Sequence, residues 1–173
     1  MRRLLPIALL LALTGCLTPV PPTAYQAAPV NGGSGYSEVW TSDTRAEVRF
    51  AGNWRTDRQT VEDGLLFRAA ELAEQRKAPH FAVHDKTLER NVYETPETPP
   101  FPSWWYRDRY GWHGAYGRFP TRVRTWTVYT AIMQMEVLPE GAKPPKNADI
   151  RDTQAVLDRL ALTVRRPSDK PQS

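Results

Sequence analysis

A chain of 173 residues with 23 lysines and arginines against 19 aspartates and glutamates holds one domain's worth of sequence and a net charge of only +4. So mild a balance argues against nucleic acid as a partner. The single cysteine, Cys16, excludes an intramolecular disulfide and any metal site built from cysteines.

Arg2-Arg3 opens the chain, Leu4 to Leu13 is an apolar run, and Leu13-Thr14-Gly15-Cys16 ends it in small residues. A charged start, an apolar segment of roughly 7–15 residues and a small-residue cut site read as a secretory signal over residues 1–15. The run is too short to span a bilayer, which takes about 20 residues. With the cysteine at its end, the pattern resembles the lipobox of bacterial lipoproteins. That resemblance implies a diacylglyceryl group on the Cys16 thiol, cleavage after Gly15 and N-acylation of the new terminus, so that several acyl chains (palmitate among them) fix the protein to a membrane. Arg2 and Arg3 leave with the signal. Leu17 stands where many Gram-negative species use Asp for inner-membrane retention, which implies the outer membrane and a domain facing the periplasm.

Residues 16–36 follow as an expected tether. Pro19, Pro21, Pro22 and Pro29 precede Asn31-Gly32-Gly33-Ser34-Gly35, a semi-extended part and a flexible part. Fully extended, it would reach about 60 Å at roughly 3 Å per residue. The glycine run lacks both the Lys-Ser/Thr of a phosphate loop and the G-x-S-x-G spacing of a nucleophile turn.

Order is expected from near Glu38, in one domain over residues 37–164. Arg45 to Phe50 alternates, with Ala46, Val48 and Phe50 on one face, which predicts a half-buried strand. Thr56-Asp57-Arg58-Gln59 has the form of a capping box. From there to about Lys77, the residues Val61, Leu65, Leu66, Ala69, Leu72 and Ala73 share one side of a helix, in which Gly64 costs about 1 kcal/mol relative to Ala. Pro79 stops it. His80 to His84 predicts a second short strand, and residues 91–120, with five prolines, read as irregular. Arg122 to Leu138 is rich in Val, Thr, Trp, Tyr and Ile, and its seventeen residues predict a strand with a bulge or bend. A loop at 141–147 leads to a helix from Asp152 to about Leu162 with Val156, Leu157, Leu160 and Ala161 inward. Residues 165–173 read as a disordered tail. This order predicts an α/β (α+β) fold, a small mixed or antiparallel sheet with two helices packed on one face.

Phe50-Ala51-Gly52-Asn53-Trp54-Arg55-Thr56 followed by Val61-Glu62-Asp63-Gly64-Leu65-Leu66-Phe67-Arg68-Ala69-Ala70-Glu71-Leu72 resembles a family of uncharacterised bacterial lipoproteins. Its pattern is an F-x-G-N-x-x-T turn entering a V-E-D-x-x-L-L-x-R-A-A-E-L helix. The resemblance covers residues 45–85 and departs at the helix end, where Ala78-Pro79 replaces an expected glycine. It implies a lipoprotein with a small α/β domain and brings no activity, cofactor or catalytic residue. The residues themselves predict a turn through the Asn53 amide and surface pairs Arg58–Glu62 and Arg68–Glu71.

Little in the chain points to catalysis. His80 and His84 lie four apart on a strand, about 13 Å between Cα atoms, too far to share an ion, and no third ligand is evident for Asp85 to join. Glu62-Asp63 and Glu71 with Glu74 read as solvated helix charges rather than acid–base pairs. A hydrolase would need His84 or His113 beside a carboxylate in a pocket. The domain is therefore expected to be no enzyme and to need no cofactor or metal.

Loop 101–119 stands apart, with Trp104, Trp105, Tyr106, Arg107, Arg109 and Trp112 among its aromatics and arginines and glycines at 111, 114 and 117. Tyr, Trp and Arg anchor interfaces because they bury large rigid area behind a polar tip. The same residues would also serve as a satellite core folded over the sheet. The expected function is a cell-envelope lipoprotein that binds an envelope glycan, lipid or protein through this loop. The alternative is a structural or assembly protein that meets a protein partner through a sheet edge or helix.

Overall fold

The computed structural model describes residues 20–29, 32–97 and 122–167. The first strand, β1 (Gly35–Trp40), starts three residues before the expected onset of order. It pairs antiparallel with β2 (Arg45–Ala51), whose Ala46, Val48 and Phe50 are buried as the alternation predicts. Helix α1 (Arg58–Gln75) buries Val61, Leu65, Ala69, Leu72 and Ala73, and also Gly64, Phe67 and Ala70.

Both ends of α1 differ from expectation, for local reasons. Its N-cap is Asp57, whose side chain accepts from the Thr60 amide at 2.7 Å. Thr56, the expected cap, has its hydroxyl oxygen taken by the amides of Thr23 (2.8 Å) and Asn53 (3.2 Å). Gln59 bonds Asp63 instead of reaching back. At the other end Lys77 adopts φ 55°, its amide bonding the Glu74 carbonyl and that of Ala78 the Ala73 carbonyl. This is the Schellman arrangement, with lysine at the position where glycine avoids a steric cost. Lys77→Gly is expected to stabilise the fold by about 0.5–1 kcal/mol, seen as a higher urea midpoint at unchanged slope; a lower midpoint would contradict it.

Strand β3 (His80–Glu97) is far longer than the five residues expected and includes 91–97, where the sequence predicts irregular chain. It pairs along its whole length with β4 (Arg122–Leu138), which has the predicted bounds. The expected bulge lies on β3, between Val83 and Asp85, and not on β4. A short β5 (Asp149–Asp152), unforeseen in sequence, pairs with His80–Val83 and leads directly into α2 (Thr153–Leu160). In α2, Val156, Leu157 and Leu160 are buried, but Ala161 is exposed because the chain turns there and returns Val164 to the core instead.

The sheet order is β1-β2-β4-β3-β5, and every neighbouring pair is antiparallel. The α1 crossover therefore joins two mutually parallel strands, β2 and β3, with one slot between them that β4 fills. Phe50, Phe81, Met133, Met135 and Val137 from the sheet meet Val61, Leu65 and Leu72 of α1 and Val156 and Leu160 of α2 in one core. Each such fully buried side chain contributes about 1.5–3 kcal/mol. The molecule is thus a small α+β domain with both helices on one face of its sheet.

The expected tether is corrected over the described residues 20–29. The Thr23 amide donates to Thr56, the Asn53 amide to Thr23 Oγ1 (2.8 Å), and Asn53 Nδ2 to the Pro21 carbonyl (2.8 Å). Tyr25 is 7% exposed, its ring edge-on to Phe67 and its amide bonded to the Arg165 carbonyl at 2.7 Å. Residues 26–28 bridge to Tyr36 in parallel fashion. Gly35 is part of this docking and not linker: its φ is 122°, and a Cβ there would stand 2.4 Å from the Gln26 carbonyl oxygen. The prolines and the glycine run predict a tether, but Thr23, Thr56 and Tyr25 bind the segment down.

Candidate interaction site

Strand β2 ends at Ala51 opposite Thr130, and the Gly52 amide bonds the Tyr129 carbonyl at 2.9 Å. Beyond that level only β3 and β4 continue, Arg90 to Glu97 pairing with Tyr129 to Arg122. At about 3.4 Å per residue they form a two-stranded ribbon projecting roughly 25 Å. Pro96 is tolerated on it because β3 is an edge strand there. Tyr93 and Trp126 face each other across the strands, their ring centroids 6.5 Å apart and 23° from parallel, a cross-strand pair of the kind that steadies an isolated ribbon. Val92 and Val123 stand exposed on the other ribbon face. Arg124 lies 3.7 Å from Glu97 near the tip.

The ribbon fixes where the aromatic loop begins and ends, since Glu97 and Arg122 are register partners. Trp104, Trp105, Tyr106, Arg107, Arg109 and Trp112 themselves lie outside the described residues, as do Cys16 and His113. At the ribbon's root is a group that sequence reasoning missed. Trp54 is exposed on the turn from β2 to α1, Arg55 stacks over it at 5.0 Å and donates to the Val20 carbonyl at 3.1 Å. Asn53 shapes this turn, as its position predicts: its side-chain oxygen accepts from the Arg55 amide (2.8 Å) and the Thr56 hydroxyl (2.9 Å).

The remaining candidates separate rather than converge. His84, the extra residue of the bulge, contacts Glu136 at 2.7 Å, and Arg45 holds the same carboxylate at 3.0 Å. Partial burial raises the Glu136 pKa, but the bonds from His84 and Arg45 outweigh it and hold the carboxyl below its usual range. His80 lies 3.8 Å from Asp152, beside an open groove of about 860 Å³ between the C-terminal end of α1 and the start of α2. The two histidines thus have different partners. Among the described residues no group of three or more His, Cys, Asp or Glu is arranged to hold a metal ion.

Glu62 sits between Lys86 (2.8 Å) and Arg58 (2.7 Å), and their hydrogen bonds lower its pKa, so it is an anion at neutral pH rather than a proton donor. Glu71, expected to be a solvated charge, is instead part of a half-buried network. It accepts from the Tyr25 hydroxyl at 2.5 Å and from Arg68 at 3.0 Å, while Arg68 reaches Glu38 of β1 at 2.7 Å and covers the Tyr36 ring at 4.3 Å. Burial, then the bond to Glu71, drives the Tyr25 pKa upward. For Arg68, burial opposes the charge, but the bonds to Glu38 and Glu71 outweigh it. The network's task is mechanical: it clasps the N-terminal segment, β1 and α1 together.

No family model, curated protein or solved structure matches the chain. The motif residues of 50–72 have structural work of their own here, Asn53 and Thr56 receiving the N-terminal segment and Gly64 the Phe50 ring.

Proposed function

We propose that this chain is a bacterial envelope lipoprotein, acylated at Cys16 and held at the periplasmic side of the outer membrane, whose domain acts by binding an envelope component and not by catalysis. The lipobox-like pattern at 13–16 and Leu17 support the anchoring. The observation that supports the binding role is the ribbon: the ends of the two longest described strands project roughly 25 Å, and their last register pair, Glu97 and Arg122, flanks the Trp- and Arg-rich stretch 101–119 in sequence. Aromatic side chains with arginines suit the ring faces of a glycan, a headgroup layer or a protein hot spot. The sheet-edge alternative has less support, since residues 26–28 cover the start of β1 and β5 is only four residues long.

Two experiments test this. Cys16→Ser should abolish palmitate labelling and release the protein from membranes; unchanged membrane association would overturn the anchor. The Cys16→Ser chain should co-sediment with cell-wall sacculi or with phospholipid vesicles, and replacing Trp104, Trp105 and Trp112 by Ala should remove that binding while leaving circular dichroism unchanged. Equal binding by both forms would overturn the role of the loop.

A further inference from the structure

We propose that the domain lies flat on the lipid surface, with the root turn at Trp54 and the β3–β4 ribbon resting at the membrane–water boundary. This deepens the reading above by naming the ribbon's partner, and it rests on acylation of Cys16. Arg55 holds the Val20 carbonyl at the ribbon's root, and Asn53 holds the Pro21 carbonyl beside it. Four residue steps separate Cys16 from Val20, so the anchor lies at most about 14 Å from that root whatever the path between them. From the same level the ribbon extends roughly 25 Å in one direction, and β2, with the body of the sheet, runs about 20 Å in the other.

A rod tied near its middle by so short a link cannot stand upright. With the ribbon pointing at the bilayer, its outer half would have to enter. Glu94, Glu97, Arg122 and Arg124 oppose that, each arginine costing about 2.5–3.5 kcal/mol in the hydrocarbon centre. The ribbon's unpaired backbone edges would cost more. With the ribbon pointing away, the body would have to fit within a link shorter than itself. Lying flat satisfies both limits. Among the described residues, four of the eight exposed large apolar side chains, Val20, Trp54, Val92 and Val123, are at the root or on one face of the ribbon. Val92 and Val123 share the ribbon face that nearer the core packs on α1, the side to which the Trp54 turn also leads. Tryptophan settles at headgroup level, as Trp54 would here, and arginines there reach lipid phosphates.

The test uses the full acylated chain in vesicles of phosphatidylethanolamine and phosphatidylglycerol. Acylation blocks Cys16, so Trp54→Cys, Val92→Cys and Val39→Cys each supply one free thiol for a fluorophore. Val39 is the control, exposed at the opposite end of the sheet on the face away from the helices. Headgroup-nitroxide lipid should quench the labels at 54 and 92 and spare the label at 39. Equal quenching at all three, none at 54 and 92, or stronger quenching at 92 by a nitroxide deep in the acyl chains would overturn the flat attitude while leaving the anchor intact. Mass spectrometry of the Cys16 peptide and flotation with the vesicles, read on the same samples, distinguish that failure from loss of the anchor, which would overturn both.

Discussion

Replacing Arg68 by alanine should lower the stability of the domain by about 3 kcal/mol, measured as a fall in urea midpoint at unchanged slope. The guanidinium is 11% exposed and bridges Glu38 and Glu71. Its removal takes the cation from Glu38, leaves Glu71, under the Tyr25 hydroxyl, with the exposed Arg166 at 3.4 Å as its cation, and strips the cover from Tyr36. The figure sits at the low end for a broken buried pair, about 3–5 kcal/mol, because Glu38 keeps 25% of its side chain in water. Arg68→Lys should recover only part of the loss, since a point charge cannot reproduce a fork directed at two acceptors. A loss below about 1 kcal/mol for the alanine variant would rank the network with ordinary surface pairs and remove it as the clasp of the N-terminal segment.

Gly64→Ala should also destabilise, by about 1–3 kcal/mol, although the same change in a free helix interior gains about 1 kcal/mol. A Cβ at this position would stand 2.8 Å from Cε2 of Phe50 and 2.9 Å from two further ring carbons. Phe50 is 1% exposed and has nowhere to retreat without disturbing Val61 and Leu65 beside it in the core. Pairing Gly64→Ala with Phe50→Leu makes the cause measurable: the double variant should lose less than the sum of the singles. Strict additivity, or a gain for Gly64→Ala alone, would show that the ring moves freely and that the glycine is incidental.

What is legible in the sequence follows from periodicity in β2, α1 and α2, whose apolar spacing predicts their type and most of their bounds, and from strand-forming composition in β4, whose outer half is solvated. β1 is hidden because its inward face includes Glu38, a half-buried carboxylate whose partner, Arg68, lies thirty residues away. The outer half of β3 was hidden because a ribbon is solvated on both faces and has no alternation to display; its charges and Pro96 then read as loop. The choice of Asp57 over Thr56 as cap depended on Thr23, a partner that local spacing cannot supply. The same holds for the docked segment 20–29, whose prolines advertise extension while Thr23 and Tyr25 carry the attachment. For the candidate site, the composition of 101–119 is plain, but the projecting stem that ends at Glu97 and Arg122 and the group formed by Val20, Trp54 and Arg55 at its root require the fold.

The slot that β4 occupies between β2 and β3 also dictates an order of assembly. A chain crossing a membrane amino-terminus first delivers β1, β2, α1 and β3 before the strand that unites them. Until Leu138 has emerged, β2 and β3 each present a bare edge, and the helix has only a hairpin to cover. Pairings between positions as distant in sequence as Val48 and Met133 form slowly, and waiting edges are where chains join one another wrongly. On the export route proposed above, this order favours a holding chaperone on the far side, and a product cut short before β4 lacks the strand that joins β2 to β3.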